Sequence, residues 1–222
     1  MGAILEMTLH RGLLILALLA VSGCGNDPET SQGTALAKGF LAKAKSAAPA
    51  QTPLTRAVLD QVETPVMVAR LETRQVFALI AKIEDNGAVE TWSTLDDITI
   101  SQSDGVIVAT RGLGGDLMSA RVPAVFALRN DGGRHDRMHS FLDGEDQPVQ
   151  RRFTCSVSAL GAETIEIVEV KFSTRHFVEN CSGEGVAFRN DHWFDADGTL
   201  RKSRQWIGED VGYLVLENPR RR

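Results

Sequence analysis

From Val66 onward the chain is cut into short runs rich in β-branched and apolar residues, several of them stopped by a tight-turn pair. Val66 to Leu71 and Val76 to Ile83 come first, then Asp85-Asn86-Gly87 turns the chain into Val89 to Ser93. Ile98 to Ser101 and Val106 to Thr110 flank Ser103-Asp104-Gly105, and Val186 to Phe194 and Leu200 to Ile207 flank Asp195-Ala196-Asp197-Gly198. Asn-Gly and Asp-Gly supply the positive φ that two-residue hairpins need. Many short strands with near-regular turns exclude a helical bundle. They predict a mainly β fold, an antiparallel meander forming a barrel-like or sandwich domain.

The middle of the chain is less regular. Arg129 to Asp146 is polar and Gly-rich and reads as a loop or ragged helical turn. Val149 to Leu160, Thr164 to Thr174 and the flanks of Phe177 read as three strands, with Gly161-Ala162-Glu163 turning between the first two. Short helices precede the strands. Leu36, Phe40, Leu41 and Ala44 share a helical face, and Leu54 to Val62 forms a second helix with Val58, Leu59 and Val62 inward.

The N-terminal end sets the compartment. An apolar run beginning at Leu13 ends in Val21-Ser22-Gly23-Cys24, with His10 and Arg11 just ahead of it. That is the layout of a secretory signal. The run is shorter than the ~20 apolar residues a membrane-spanning helix requires. The last four residues resemble a bacterial lipoprotein box, which implies cleavage before Cys24 and acylation of Cys24, with palmitate among the chains expected. Two or more chains anchor a protein stably where one does not. Gly25, in place of an aspartate, points to outer-membrane, periplasm-facing placement by the same resemblance. The organisation expected is a signal peptide over 1–23, a polar tether over 24–33, a helical segment over 34–62, a β-rich domain over 63–217 and a basic tail over 218–222.

Removing residues 1–23 deletes one acid, Glu6, and one base, Arg11, so the mature chain keeps the net charge of -5. That mild acidity gives no reason to expect a nucleic-acid partner. With Cys24 acylated, Cys155 and Cys181 remain, and an oxidising compartment favours a disulfide between them. Closing a loop of about 25 residues would stabilise the fold by roughly 3 kcal/mol. A catalytic or metal-binding thiol is the competing reading, and no Cys-x-x-Cys spacing supports it.

Chemistry-bearing residues are few. Arg111-Gly112-Leu113-Gly114-Gly115-Asp116 is the strongest binding candidate. Its glycines allow close backbone approach, and Arg111 offers a planar fork for a sugar acid or phosphate. The reading preferred over that is an internal Arg111–Asp116 pair tying down a corner. Trp92, Trp193 and Trp206 can stack on sugar rings, although a domain with so few large aromatics needs one or two of them in its core. Asp191, His192, Asp195 and Asp197 cluster around one hairpin, but the glutamate of a calcium loop is missing and the turn alone explains Asp-Gly. His135 and His139 lack the glutamate of a His-Glu-x-x-His motif and read as loop histidines. The sequence offers no Gly-x-Ser-x-Gly elbow. No metal, no cofactor and no catalytic residue is expected.

Two blocks carry a resemblance. One runs from Trp92 and Ser93 through Gly105 and Ile107 to Thr110-Arg111-Gly112-Leu113 and Asp116-Leu117. The other holds Asn190, Trp193-Phe194-Asp195, Gly198, Leu200, Ser203 and Gln205. Together they resemble the YjbF/GfcB family of lipoproteins, over roughly Pro53 to Glu217. The resemblance implies a meandering barrel-like domain and a non-enzymatic accessory role in exopolysaccharide or capsule secretion. It also implies an outer-membrane polysaccharide-export β-barrel protein as partner, with the polysaccharide itself as a further ligand. It transfers no catalytic residue. Two other classes stay open: a lipid or lipopolysaccharide carrier with an apolar cavity, and a glycan-modifying hydrolase with paired carboxylates.

Overall fold

The computed structural model describes residues 54–220. The signal peptide, Cys24, the tether, the helix reading over 34–47 and the last two arginines lie outside the described residues. A single turn of helix, α1 (Arg56–Leu59), precedes twelve strands that form one antiparallel sheet. The strands are β1 (Val66–Leu71), β2 (Val76–Asn86), β3 (Val89–Ser93), β4 (Thr99–Ser103), β5 (Val106–Arg111) and β6 (Ser119–Arg121). They continue as β7 (Arg134–Leu142), β8 (Pro148–Ile167), β9 (Val170–Gly183), β10 (Val186–Asp195), β11 (Leu200–Gly208) and β12 (Gly212–Glu217).

Their order across the sheet is β5-β4-β3-β2-β1-β12-β11-β10-β9-β8-β7-β6. Each strand lies beside its sequence neighbour except at one join, where β1 pairs with β12 and Ala69 faces Leu216. The two edges, β5 and β6, come round towards each other and make a nearly closed barrel, as the strand and turn pattern predicts. At the seam the Thr110 N–H donates to the Leu117 carbonyl, just ahead of β6. Farther along β5, a side chain replaces the missing ladder. The buried Gln205 amide accepts from the Ile107 N–H at 3.0 Å and donates to the Gly105 carbonyl at 2.9 Å. It thereby satisfies two backbone groups of an otherwise open edge.

Alternation along the strands fills the interior. Ile80, Ile100, Ile107, Leu117, Ile207, Leu214 and Leu216 form one buried cluster, and Val106, Leu128, Val157, Phe177 and Phe194 form another. Leu59 of α1 packs on Val66 and Ala81, with Leu54 and Val62 beside them. Val58 is not part of that cluster.

Three sequence readings need correction. Arg134–Leu142 is a regular strand, not a loop. Its inward side carries His135, Arg137 and His139 in place of aliphatic residues, so the usual alternation is absent. Gly161-Ala162-Glu163 is not a turn: β8 runs straight through it. Gly161 takes φ +112° at a register shift opposite β9, a bulge that a glycine accommodates. The true turn is Val168-Glu169, inside the segment expected to be one strand, with φ 43° and 64°. A β-branched residue at positive φ carries no sequence signal. Here Val168 is held by packing against Ile165, Ile167 and Leu59, and the Glu169 carboxylate accepts the Arg56 N–H at 2.9 Å.

Candidate functional site

The irregular connection between β5 and β6 is tied down by one carboxylate. Asp116 accepts from the Thr110 hydroxyl at 2.8 Å and from the N–H groups of Gly112 and Leu113 at 2.8 and 3.1 Å. The Thr110 hydroxyl in turn accepts the Leu117 N–H at 3.0 Å. Arg111 does not pair with Asp116. Its guanidinium donates to the carbonyls of Thr110, Leu117 and Met118. The corner is therefore secured as expected, but by backbone bonds instead of the expected ion pair, and the Arg111 fork is already occupied by carbonyls.

This corner forms one wall of a cleft of about 390 Å³ at one end of the barrel. Gly114, Gly115 and Gly208 give it backbone walls, Trp206 and Phe141 lie along it, and Leu142 and Val149 stand on its rim. Gly115 is required here, because a methyl group in its place would meet Asp210 Cβ at 2.7 Å. Leu142 and Val149 are among the few exposed large apolar side chains, at 45% and 37%. Asp143, Asp146, Glu209 and Asp210 line the same cleft, with Arg151 as a cation bonded to Glu209 at 2.7 Å. The excess of carboxylates disfavours a polyanionic ligand here. It suits a neutral chain or a partner with an apolar knob and basic surround.

A buried polar network joins β7, β9 and β10. Glu179 is fully buried on β9. Arg137 grips it with Nε–Oε1 at 2.6 Å and Nη2–Oε2 at 2.9 Å, and Asn190 donates to Oε2 at 2.7 Å. His135 bonds Oε1, and His192 lies 3.5 Å from Oε2. Burial alone would raise the Glu179 pKa. The Arg137 charge and the bonds from His135, His192 and Arg137 outweigh it and hold the carboxyl well below its usual range. Burial pushes the His192 imidazole down, against the pull of Glu179. Burial, with Arg137 nearby, pushes His139 down to about 3. His139 sits among Phe141, Phe153, Phe188 and Trp206, and neither of its ring nitrogens has a hydrogen-bond partner. These histidines belong to a strand and its core.

The tryptophans are all buried. Trp92 is in the main cluster with Met67 and Ile80. Trp193 stacks on His176 at 4.1 Å between ring centroids and donates its indole N–H to Glu163 at 2.8 Å. Trp206 stacks on Phe188 at 4.5 Å and is the tryptophan that lines the cleft. The structure thus does not bring Trp92 or Trp193 to the Arg111–Asp116 corner. Asp191 pairs with His176 and Arg189, and Asp195 with Arg201 and the Thr199 N–H. Asp195 serves the β10–β11 hairpin, and Asp191 ties β10 to β9. Cys155 and Cys181 face each other across β8 and β9 and are bonded.

Glu179 and Arg137 were not singled out by sequence. The signal was parity: Phe177, Glu179 and Cys181 share one face of β9, so a glutamate between two core positions requires a buried cation. For Gln205 no local signal existed, because its partners are about a hundred residues away.

The family model described as "Group 4 capsule polysaccharide lipoprotein gfcB, YjbF" matches residues 33–218. The chain is 27% identical over 145 residues to a protein described as uncharacterized lipoprotein YjbF from Escherichia coli K12. That match takes in 61% of this chain and spans 65% of the relative's length. The barrel is similar to the crystal structure of the hypothetical lipoprotein YmcC from E. coli K12. The TM-score is 0.74 at 16% identity, covering 88% of this chain and 99% of that one.

Proposed function

Because the chain belongs to the YjbF family of group 4 capsule polysaccharide lipoproteins, we propose that it is a lipid-anchored, non-enzymatic accessory to polysaccharide secretion. In this reading Cys24 carries the anchor and faces the barrel into the periplasm from the outer membrane. The cleft beside the Asp116 corner engages a secretion partner, with a polysaccharide-export β-barrel protein as the expected one. The observation that carries the reading is the family match over residues 33–218. The cleft supports it, since apolar Leu142 and Val149 are exposed there on a rigid, tied-down frame. The carrier reading needs an apolar cavity, and Ile80, Ile100, Leu117, Leu128, Ile207 and Leu216 fill the interior instead.

Deleting the gene should lower surface polysaccharide. Complementation with the wild-type chain should restore it. Complementation with Cys24→Ser, or with Leu142→Asp and Val149→Asp together, should not, at equal protein abundance. Polysaccharide export unchanged by the deletion would refute the proposal.

A further inference from the structure

We infer that a groove at the far end of the barrel from the cleft binds a sugar residue bearing a carboxylate, within an acidic polysaccharide. The inference deepens the secretion reading, from which the polysaccharide is taken. β11 links the two places: it runs from the Asp195-Ala196 turn beside the groove to Gly208 in the wall of the cleft. The groove measures about 590 Å³ and is lined by Phe126, Arg129, Ser173 and Arg175 over a floor of Phe177 and Phe194.

The fold sets two guanidiniums over one pair of rings. Phe177 of β9 and Phe194 of β10 meet edge to face, with centroids 6.1 Å apart, and Arg175 lies directly opposite Phe194 in the sheet. Arg175 stands over the Phe177 ring at 5.3 Å. The 3-10 turn Val125–Arg129 carries in Arg129, which stands over the Phe194 ring at 5.5 Å. Gly198 makes room for it, because a methyl group there would collide with the Arg129 guanidinium. The two rings are buried and the two arginines are exposed. Stacking holds a guanidinium by its face and directs its edge, where the N–H donors lie, to a ligand.

Charge and shape select the ligand. Asp195 also borders the groove, but Arg201 meets its charge at 2.6 Å. Two cations in one groove repel each other, and a carboxylate between them relieves that repulsion. Phe126, 70% exposed, offers a flat apolar face beside the charges, and Ser173 an exposed hydroxyl. An acidic sugar has matching parts: a planar anion for the guanidinium forks, C–H faces for the ring and hydroxyls for the serine. A lipid headgroup or an acidic peptide brings the anion without the sugar face. The cleft at the other end, with Asp143, Asp146, Glu209 and Asp210, repels the same chain, so glycan and secretion partner take separate ends.

The test uses the full mature lipoprotein in a non-ionic detergent at low salt, titrated by calorimetry with tetragalacturonate. The comparison ligands are uncharged maltotetraose, glycerol phosphate as a lipid headgroup and tetraglutamate as an acidic peptide. Tetragalacturonate should bind saturably, and each of the others at least about tenfold more weakly. Arg129→Gln and Arg175→Gln should each weaken binding roughly tenfold, as loss of a charged hydrogen-bonding partner does. Arg175→Lys should weaken it as well, since the charge stays and the fork goes. Phe126→Ala, at an exposed position, should weaken it about threefold with thermal unfolding unchanged. These two substitutions keep the test decisive if an arginine-to-glutamine variant misfolds. Arg152→Gln, an equal loss of charge at an exposed position of β8, should change nothing. Absence of tetragalacturonate binding overturns the inference, as does wild-type affinity in Phe126→Ala or in the two glutamine variants combined. A comparison ligand bound as tightly as tetragalacturonate also overturns it, and glycerol phosphate in that role would mean a membrane contact. Loss of export on gene deletion, beside a protein that binds no tetragalacturonate, would sink this inference alone. Unchanged export beside intact binding would sink the secretion reading alone.

Discussion

Replacing His139 by phenylalanine isolates the cost of an imidazole held without partners in an aromatic cage. The ring is 2% exposed, and burial lowers its pKa from 6.5 to about 3. In the unfolded chain the same ring titrates at its ordinary value. Between these two values the unfolded state binds a proton that the folded state refuses, so stability falls as pH falls. The sign is that of a depressed base: no penalty above pH 6.5, a growing one below it, and a plateau once the folded ring also protonates near 3. Each pKa unit is worth about 1.4 kcal/mol and the unfolded ring is already half protonated at pH 6.5, so lowering the pH from 6.5 to 4.5 should cost the wild type roughly 2 to 2.5 kcal/mol that His139→Phe does not lose. Losses from other groups, Glu179 and His192 included, are common to both proteins and drop out of the comparison. Phenylalanine forfeits no hydrogen bond here, and overpacking of the larger ring would cost typically 1–3 kcal/mol independently of pH. Urea unfolding midpoints and slopes at pH 7, 5.5 and 4.5 give the difference directly. A wild-type-to-variant gap that stays constant across those three pH values would refute the reasoning.

Two further substitutions test other parts of the frame. Arg137→Met leaves Glu179 buried without its main counter-charge and should cost about 3–5 kcal/mol by chemical denaturation at pH 7; a loss under 1 kcal/mol would mean that the pair is not what keeps the carboxylate charged. Gln205→Leu strips the Ile107 N–H and the Gly105 carbonyl of their partner at the β5 edge and should cost about 2–3 kcal/mol; it should also expose the Ile107 amide, read as faster hydrogen exchange there than in β3.

The wings of the barrel were legible because they obey local rules. Asn86-Gly87, Asp104-Gly105 and Asp197-Gly198 turn where such pairs ask to turn, and the apolar runs between them are the strands. The Cys155–Cys181 bond was legible from compartment and parity of count. What escaped was whatever the interior decides. β7 is a strand with histidines and an arginine turned inward; Glu179 of β9 partners His135 and Arg137, and an aromatic cage holds His139. The Val168-Glu169 turn has no turn residue and exists because its neighbours hold it. Of the nominated binding residues, Asp116 proved to organise the corner and Arg111 to serve it. Trp92 and Trp193 went to the core and to a partner on β8, while Trp206 came to the cleft. Tryptophan's size marks it as a packing residue without saying which neighbour claims it.

The join between β1 and β12 carries a timing consequence. Among the described strands, the first to leave a ribosome or a translocation channel has one of its two sides reserved for the last, with Val68 waiting for Glu217. Until the C-terminal end is delivered, the nascent half-cylinder stands ajar with a bare hydrogen-bonding flank. A copy clipped before Gly212 could never shut, and would invite stacking with others of its kind.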